Sequence, residues 1–220
     1  MPHDVITPNI LLQAYASGLF PMSEGRKDNE LFWVDPEERG IIPLNKFHIP
    51  RSLAKKVRKD VFFVTTDQAF QRVVQSCALP ARGRETTWIS DRIETLYTDL
   101  HKRGFAHSVE CWIEDELVGG LYGVSLSGAF FGESMFSTQT DASKVALTHL
   151  VGRLIAGGYH LLDTQFITDH LRQFGATEIP RQEYQSKLQS ALQAEKADFY
   201  QLDGVSVSGS TILQLITQIS

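Results

Sequence analysis

Two cysteines, Cys77 and Cys111, are all that the 220-residue chain carries, too few for a disulfide framework. No run approaches the roughly 18 apolar residues that span a bilayer. The opening MPHDVITPNILLQAY has no basic start and no long apolar stretch, so no secretory leader is expected. These absences predict a cytoplasmic protein with no membrane partner. There is no G-x-x-x-x-G-K-[ST] loop and no G-x-G-x-x-G after a strand pattern, which leaves triphosphate and dinucleotide chemistry unsupported. The seven histidines show neither H-E-x-x-H nor Cys/His ligand spacing, so no metal is expected. A Gly-x-Ser-x-Gly elbow for a serine nucleophile is also missing. Positive charge is not in excess: 21 Lys+Arg against 26 Asp+Glu leave a net charge of -5, which argues against broad polyanion binding. What remains is ordinary. A chain that is 42% hydrophobic and 21% charged fits one domain, or one with a small appendage, and excludes disorder.

Local signals place the elements. Thr7-Pro8 opens a helix over 8–17, with Ile10, Leu11, Ala14 and Tyr15 on one face. Short extended pieces follow at 30–34 and 41–44, then a helix from Pro50 to about Lys59 and a strand over 61–65. Thr66 or Asp67 is expected to cap a helix carrying Phe70, Val73, Val74 and Cys77 inward. A loop is expected over 80–87, and Ser90 caps the next helix, which Gly104 ends. Residues 107–114, 117–126 and 129–135 read as a glycine-rich antiparallel meander. Asp141 is expected to cap a helix to about Ala156. A strand over 160–166, a short helix capped by Thr168, a helix opened by Ile179-Pro180 and a terminal helix around 211–216 complete the chain. This order predicts an α/β (α+β) fold, a mixed sheet flanked by helices, of the N-acetyltransferase (GNAT) type. The expected division is a small N-terminal subdomain over 1–35, a GNAT-like catalytic domain over 36–195 and a tail over 196–220. Acyl-CoA enzymes of that type need an [RQ]-x-x-G-x-[GA] turn for pyrophosphate. The nearest stretch, RLIAGG from Arg153, does not match, so no cofactor is expected.

Three clusters stand out. In FFGESMFS, strand alternation sets Phe131, Glu133 and Met135 on one face, with Phe130, Gly132, Ser134 and Phe136 opposite. A carboxylate among large apolar residues needs a partner. It is either a structural Glu satisfied by backbone or Arg, or a group that recognises a cation at a pocket wall. In LLDTQF, Asp163 and Gln165 share a face. They form either a buried network that fixes register or an orienting pair beside a reacting group. Arg51, Lys55, Lys56, Arg58 and Lys59 make one broad basic helix face, either solvated or a phosphate footprint. Cys111, beside His107 in a strand pattern, reads as core and not as a nucleophile.

Phe20-Pro21, LFWVDPEERGIIPL (31–44), TWIS (87–90), residues 107–137, DASK (141–144), LLDTQF (161–166), DH (169–170) and FGATEIPR (174–181) resemble the leucyl/phenylalanyl-tRNA–protein transferase family. The likeness runs in order from about residue 8 to 190. It implies a bacterial cytosolic enzyme of the N-end rule pathway. Such an enzyme moves Leu or Phe, and in some cases Met, from aminoacyl-tRNA onto an N-terminal Arg or Lys, without acyl-CoA. By this resemblance Asp163 and Gln165 are the catalytic pair. Gln165 bonds the incoming amine or the reacting carbonyl; Asp163 is either a base or an orienter. Glu133 matches the residue that holds the acceptor's cationic end. Leu121, Phe130 and Ser134 match the aminoacyl pocket, and Trp88 matches an aromatic that stacks the terminal adenine. The basic helix at 51–59 matches one that tracks the tRNA backbone. Many members carry Trp after Phe-Pro where this chain has Met22, and a thioether packs on a base without stacking as an indole does. A monomer is expected. The competing readings are another GNAT-like acyl or tRNA-dependent aminoacyl transferase, and a non-catalytic tRNA-binding module.

Overall fold

The computed structural model describes residues 6–28, 30–80, 86–194, 197–202 and 206–218. Residues 81–85 of the loop expected over 80–87 lie outside these, as do residues 1–5 at the start and 195–196, 203–205 and 219–220 of the tail. Helix α1 (Pro8–Ala16) begins where the Thr7 hydroxyl accepts from the Ile10 amide, and it turns Leu11, Ala14 and Tyr15 inward. Strands β1 (Phe20–Met22) and β2 (Phe32–Val34) pair antiparallel as a separate two-stranded ribbon, with Met22 opposite Phe32. Strand β3 (Glu38–Ile41) ends before Pro43, and Leu44–Lys46 form a 3-10 turn. The extended piece thus lies earlier than the expected 41–44, because proline donates no ladder hydrogen bond.

Helix α2 (Arg51–Arg58), strand β4 (Phe63–Thr66), helix α3 (Phe70–Ala78) and helix α4 (Asp91–Lys102) lead into the meander. The meander is β5 (Ala106–Ile113), β6 (Glu116–Leu126) and β7 (Ala129–Ser137). Helix α5 (Ala142–Ala156) crosses over to β8 (Leu161–Gln165), which is parallel to β7. Helix α6 (Asp169–Arg172), strand β9 (Thr177–Pro180), helix α7 (Arg181–Leu192) and helix α8 (Gly209–Gln218) follow. The seven-stranded sheet runs β4-β5-β6-β7-β8-β3-β9. Its one parallel pair is β7 with β8, and the mixed sheet flanked by helices is the expected class.

Each face of the sheet builds a core. One gathers Leu53 and Val57 of α2, Leu147 and Leu150 of α5, Phe174 just after α6, and Ile212 of α8. The other gathers Leu11 and Tyr15 of α1, Val73 of α3, Ile93 and Tyr97 of α4, and Leu188 of α7. Helix α5 is buried on nearly all sides, as an apolar helix between sheet and helices should be. One expected cap is not formed, and Asp141 holds the cap position of α5 without the side-chain bond. Helix α3 starts at Ala69 with no side-chain cap. Asp67 instead bonds His107 Nδ1 at 2.7 Å and accepts from the Ser108 amide at 2.8 Å. Asp141 sits in the left-handed region at φ 74° and ion-pairs with Lys56 and Lys144. Strand β9 escaped the sequence pattern because it is four residues long and ends in Pro180.

Helix α8 begins against α2 at a point of very close approach. A Cβ on Gly209 would lie 1.9 Å from the Val57 carbonyl oxygen. Gly209→Ala is therefore expected to lower stability by about 1–3 kcal/mol, read as a drop in the urea unfolding midpoint. An unchanged midpoint would contradict the packing of α8 on α2.

Candidate active site

Strands β7 and β8 pair over only three residues, Ala129–Phe131 against Leu161–Asp163. Beyond that point β7 carries a bulge. Tyr122 of β6 faces Ser134, and its neighbour Gly123 faces Gly132, so Glu133 is the extra residue. The bulge reverses strand parity. Phe131 packs in the core under α1 and α4, whereas Met135 packs against the core under α5. The expectation that Phe131, Glu133 and Met135 share a face is corrected by this extra residue. The sheet closes tightly just before it. A Cβ at Gly123 would lie 2.3 Å from the Phe131 carbonyl oxygen and 2.4 Å from the Phe130 ring, so only glycine fits.

Where the strands part, a cavity of about 290 Å³ opens. Leu121, Leu147, Leu150 and Leu162 make an apolar wall. Glu133 and Ser134 come from β7, and Thr164 and Gln165 from β8. Phe20, Pro21, Met22 and Trp88 form another side, and His170 of α6 also lines it. The structure thus brings Glu133, Gln165, Trp88, Leu121, Ser134 and Met22 to one cavity.

Two residues read as catalytic or pocket residues do not line it. Phe130 is fully buried, its ring against Tyr159 and stacked on Phe199 at 5.8 Å. It points away because it lies on the paired part of β7, before the bulge. Asp163 is also fully buried and sits behind the cavity wall. Its oxygens accept from Arg39 Nε at 3.0 Å, Arg39 Nη2 at 2.7 Å, the Tyr184 hydroxyl at 2.8 Å and the Gln165 backbone N–H at 2.8 Å. The shared face expected for Asp163 and Gln165 is lost because Gln165 takes a left-handed φ of 57° at the strand end. The five basic residues of α2 and its end lie elsewhere. Arg51, Lys55, Arg58 and Lys59 are exposed, while Lys56 bonds Asp141 at 2.6 Å. Cys111 is fully buried in the core.

Electrostatics divides the polar groups. Burial works against the Arg39 charge, but the adjoining Asp163 carboxylate outweighs it and holds the guanidinium firmly protonated. Arg39 Nη1 also donates to the Gly18 carbonyl at 2.8 Å, and its plane lies between the Phe20 and Tyr184 rings. Glu133 has no cationic partner in contact among the described residues. Burial pushes its carboxyl up to about 7, against the pull of hydrogen bonds from Tyr15 and Tyr97. Burial also lowers His170, which favours the neutral ring. At the end of β8, Gln165 Nε2 and Thr164 Oγ1 are buried with no hydrogen-bond partner. A buried donor without a partner costs free energy that a ligand's oxygen recovers.

Comparison with known proteins decides the family. Residues 41–189 match the family model described as leucyl/phenylalanyl-tRNA protein transferase, and residues 4–37 match the model of its N-terminal domain. A leucyl/phenylalanyl-tRNA–protein transferase of Phenylobacterium zucineum is 60% identical over 214 residues, 96% of each chain. Proteins of the same name from Caulobacter vibrioides and Maricaulis maris are 56% and 59% identical, covering 99% and 96% of each chain. The chain belongs to the leucyl/phenylalanyl-tRNA–protein transferase family.

For this transferase-family chain, sequence reasoning missed Arg39, Tyr15, Tyr97, Tyr184, Thr164 and His170. Part of the signal was present. Tyr15 and Tyr97 each interrupt the apolar stripe of a helix with a hydroxyl that needs a partner, and Asp163 and Glu133 need partners too. Among the described residues, no group of three or more His, Cys, Asp or Glu is placed to hold a metal ion. None of their helices is long and apolar enough to cross a membrane.

Removing one member of a buried ion pair strands the other charge. Arg39→Met is expected to cost about 3–5 kcal/mol in urea unfolding, and Arg39→Met with Asp163→Leu to recover part of that. A loss under 1 kcal/mol for the single variant would contradict the pairing. Glu133 gives a second prediction. A carboxyl raised on folding from 4.5 to about 7 binds protons more tightly folded, so it costs stability as pH rises through that window. Glu133→Gln is expected to gain on the wild type by up to ~3 kcal/mol between pH 5 and 8. Parallel unfolding midpoints for the two proteins across that range would contradict it.

Proposed function

We propose that the chain is an aminoacyltransferase that moves Leu or Phe from aminoacyl-tRNA to the N-terminal Arg or Lys of acceptor proteins, marking them for degradation. It acts in the cytoplasm as a monomer. Family membership carries the reading, and the cavity supports it: an apolar wall for the aminoacyl side chain, with a carboxylate and a free amide donor beside it. The ester of aminoacyl-tRNA is already activated, so no triphosphate is needed. The acceptor's α-amine, with an ordinary pKa of about 7.7–8.0, is partly neutral at working pH. Its nitrogen attacks the ester carbonyl and the C–N bond forms. The bond to the terminal ribose oxygen then breaks, and the proton lost by the amine ends on that oxygen.

Positioning and electrostatics carry the rate. Gln165 Nε2, buried and without a partner, donates to the carbonyl oxygen as negative charge develops there. Asp163 acts as an orienter. Its oxygens are held by Arg39 and Tyr184, and one of them fixes the Gln165 amide. Glu133 pairs with the acceptor's guanidinium or ammonium. Leu121 and Ser134 shape the aminoacyl pocket, and Phe130 supports its wall from behind. Trp88 stacks the terminal adenine, with Met22 packed beside it. Arg51, Lys55, Arg58 and Lys59 follow the tRNA backbone. Lys56 serves mainly to tie α2 to Asp141.

The deciding experiment incubates the protein with labelled Leu-tRNA and a protein bearing N-terminal Arg. Transfer of label to that N-terminus is expected; none, with a folded enzyme, sinks the reading. Gln165→Ala should slow single-turnover transfer by about 10²–10³, the usual cost of losing one oxyanion donor, without weakening tRNA binding. Lys55→Glu with Arg58→Glu should raise the Kd for tRNA and flatten its salt dependence, while leaving transfer from an aminoacyl-adenosine donor unchanged. An unaltered tRNA affinity would remove α2 from the tRNA path.

A further inference from the structure

Glu133, Tyr15 and Tyr97 make three mutual contacts. The Tyr15 hydroxyl lies 2.7 Å from Glu133 Oε1, the Tyr97 hydroxyl lies 2.9 Å from Oε2, and the two hydroxyls touch each other. Both tyrosines are fully buried, so bulk solvent does not reach their hydroxyls. Each hydroxyl owns one proton. With Glu133 ionised, two protons serve three contacts, and the tyrosine oxygens meet with no hydrogen between them. One further proton closes the ring. Glu133 then donates to Tyr97, Tyr97 to Tyr15, and Tyr15 back to Glu133, each oxygen pair holding one hydrogen.

We propose that Glu133 carries a proton in the resting site, shared in a closed ring with Tyr15 and Tyr97, and releases it when the acceptor's cationic side chain binds. The proposal rests on the reading of Glu133 as the acceptor-cation site and adds what gates it. Binding is an exchange. The guanidinium or ammonium takes the place of the proton, an ion pair forms, and the proton leaves to solvent at the open side of the half-buried Glu133. The two hydroxyls then both donate to the carboxylate. Tyr15 and Tyr97 are therefore positioning residues: they aim the carboxylate and set the pH at which it accepts a cation. Donors to a charged carboxylate are worth more than donors to a neutral one, so losing either hydroxyl makes Glu133 harder to ionise.

Other titratable and charged groups face Glu133 from the neighbouring elements. Arg39 of β3 and Asp163 of β8 act from behind, with opposite signs, and are bonded to each other. Tyr122 of β6 packs edge-on against Tyr97. His170 of α6 lines the same cavity and titrates at lower pH than a free imidazole.

The test uses a peptide whose first residue is the α-hydroxy analogue of arginine. It presents the guanidinium but has no α-amine to titrate. Its Kd is measured by calorimetry on the full chain from about pH 5.5 to 8.5, in buffers of different ionisation enthalpy. Binding is expected to tighten by about tenfold per pH unit below neutrality and then level, with one proton released at the acid end. Glu133→Gln is expected to bind weakly at every pH with no release, which separates Glu133 from His170. Tyr97→Phe and Tyr15→Phe should move the midpoint upward by about half a unit or more; a purely structural role would lower stability and leave the midpoint in place. A flat wild-type profile, with Glu133→Gln still weakening binding, overturns the proton exchange and leaves the cation site standing. Equal affinity of wild type and Glu133→Gln overturns the cation-site reading and the proposal with it.

Discussion

The rest of the site depends on a single buried ion pair. Arg39 and Asp163 are 1% and 0% exposed, 124 residues apart in sequence, and 2.7 Å apart in the fold. Taking both charges out of water is costly, and their attraction offsets that cost only if the remaining hydrogen-bonding sites are filled. They are filled here. The guanidinium also holds the carbonyl at the end of α1 and lies between the rings of Phe20 and Tyr184. The carboxylate also takes the Tyr184 hydroxyl and the Gln165 amide. One pair thus fastens the end of α1, strand β1, strand β3, strand β8 and helix α7. An apolar pair of the same size would pack there, but it would give the Gln165 amide nothing to bond.

That last bond connects packing to chemistry. Gln165 stands at the end of β8 in a left-handed conformation that a side-chain-bearing residue adopts only when held. Held so, its side-chain amide faces the cavity between β7 and β8 with a donor to spare. On the opposite strand the bulge at Glu133 brings a carboxylate to the same cavity. The divergence of one parallel pair therefore creates the space, and two local irregularities furnish it. Tyr15 and Tyr97 support one from α1 and α4, and Asp163 supports the other.

What was legible in the sequence was local. Thr7, Ser90 and Thr168 cap their helices because a short side chain reaches an amide three residues on. The basic face of α2 at 51, 55, 58 and 59 was legible too, and the structure turns Leu53 and Val57 inward opposite it. Asp67 carried the same signal and caps nothing, and Asp141 marks the start of α5 without bonding it, because His107 and Lys56, distant in sequence, compete for their carboxylates. Alternation failed at Met135 because a bulge leaves no mark in a pattern of period two. It failed at Gln165 because a backbone angle, not a residue type, aims that side chain. Phe130 looked like a pocket residue by resemblance, yet Gly123 lets its ring fold over the strand and into the core. Arg39 was invisible as a partner, since nothing in its neighbourhood announces a carboxylate 124 residues on. Strand patterning singled out Glu133 and Gln165, and the resemblance gave them roles; the structure supplied the tyrosines and the arginine that hold them.

The claim at the centre is that Asp163 orients Gln165 and is not itself the base. The direct measurement is the single-turnover transfer rate of Asp163→Asn from about pH 6 to 9, beside Gln165→Ala and the wild type. An orienter leaves the shape of the profile to the acceptor's α-amine, with its pKa of about 7.7–8.0. The account predicts three parallel curves, the two variants lowered by similar factors at every pH. A curve for Asp163→Asn that loses a limb present in both the others would contradict it.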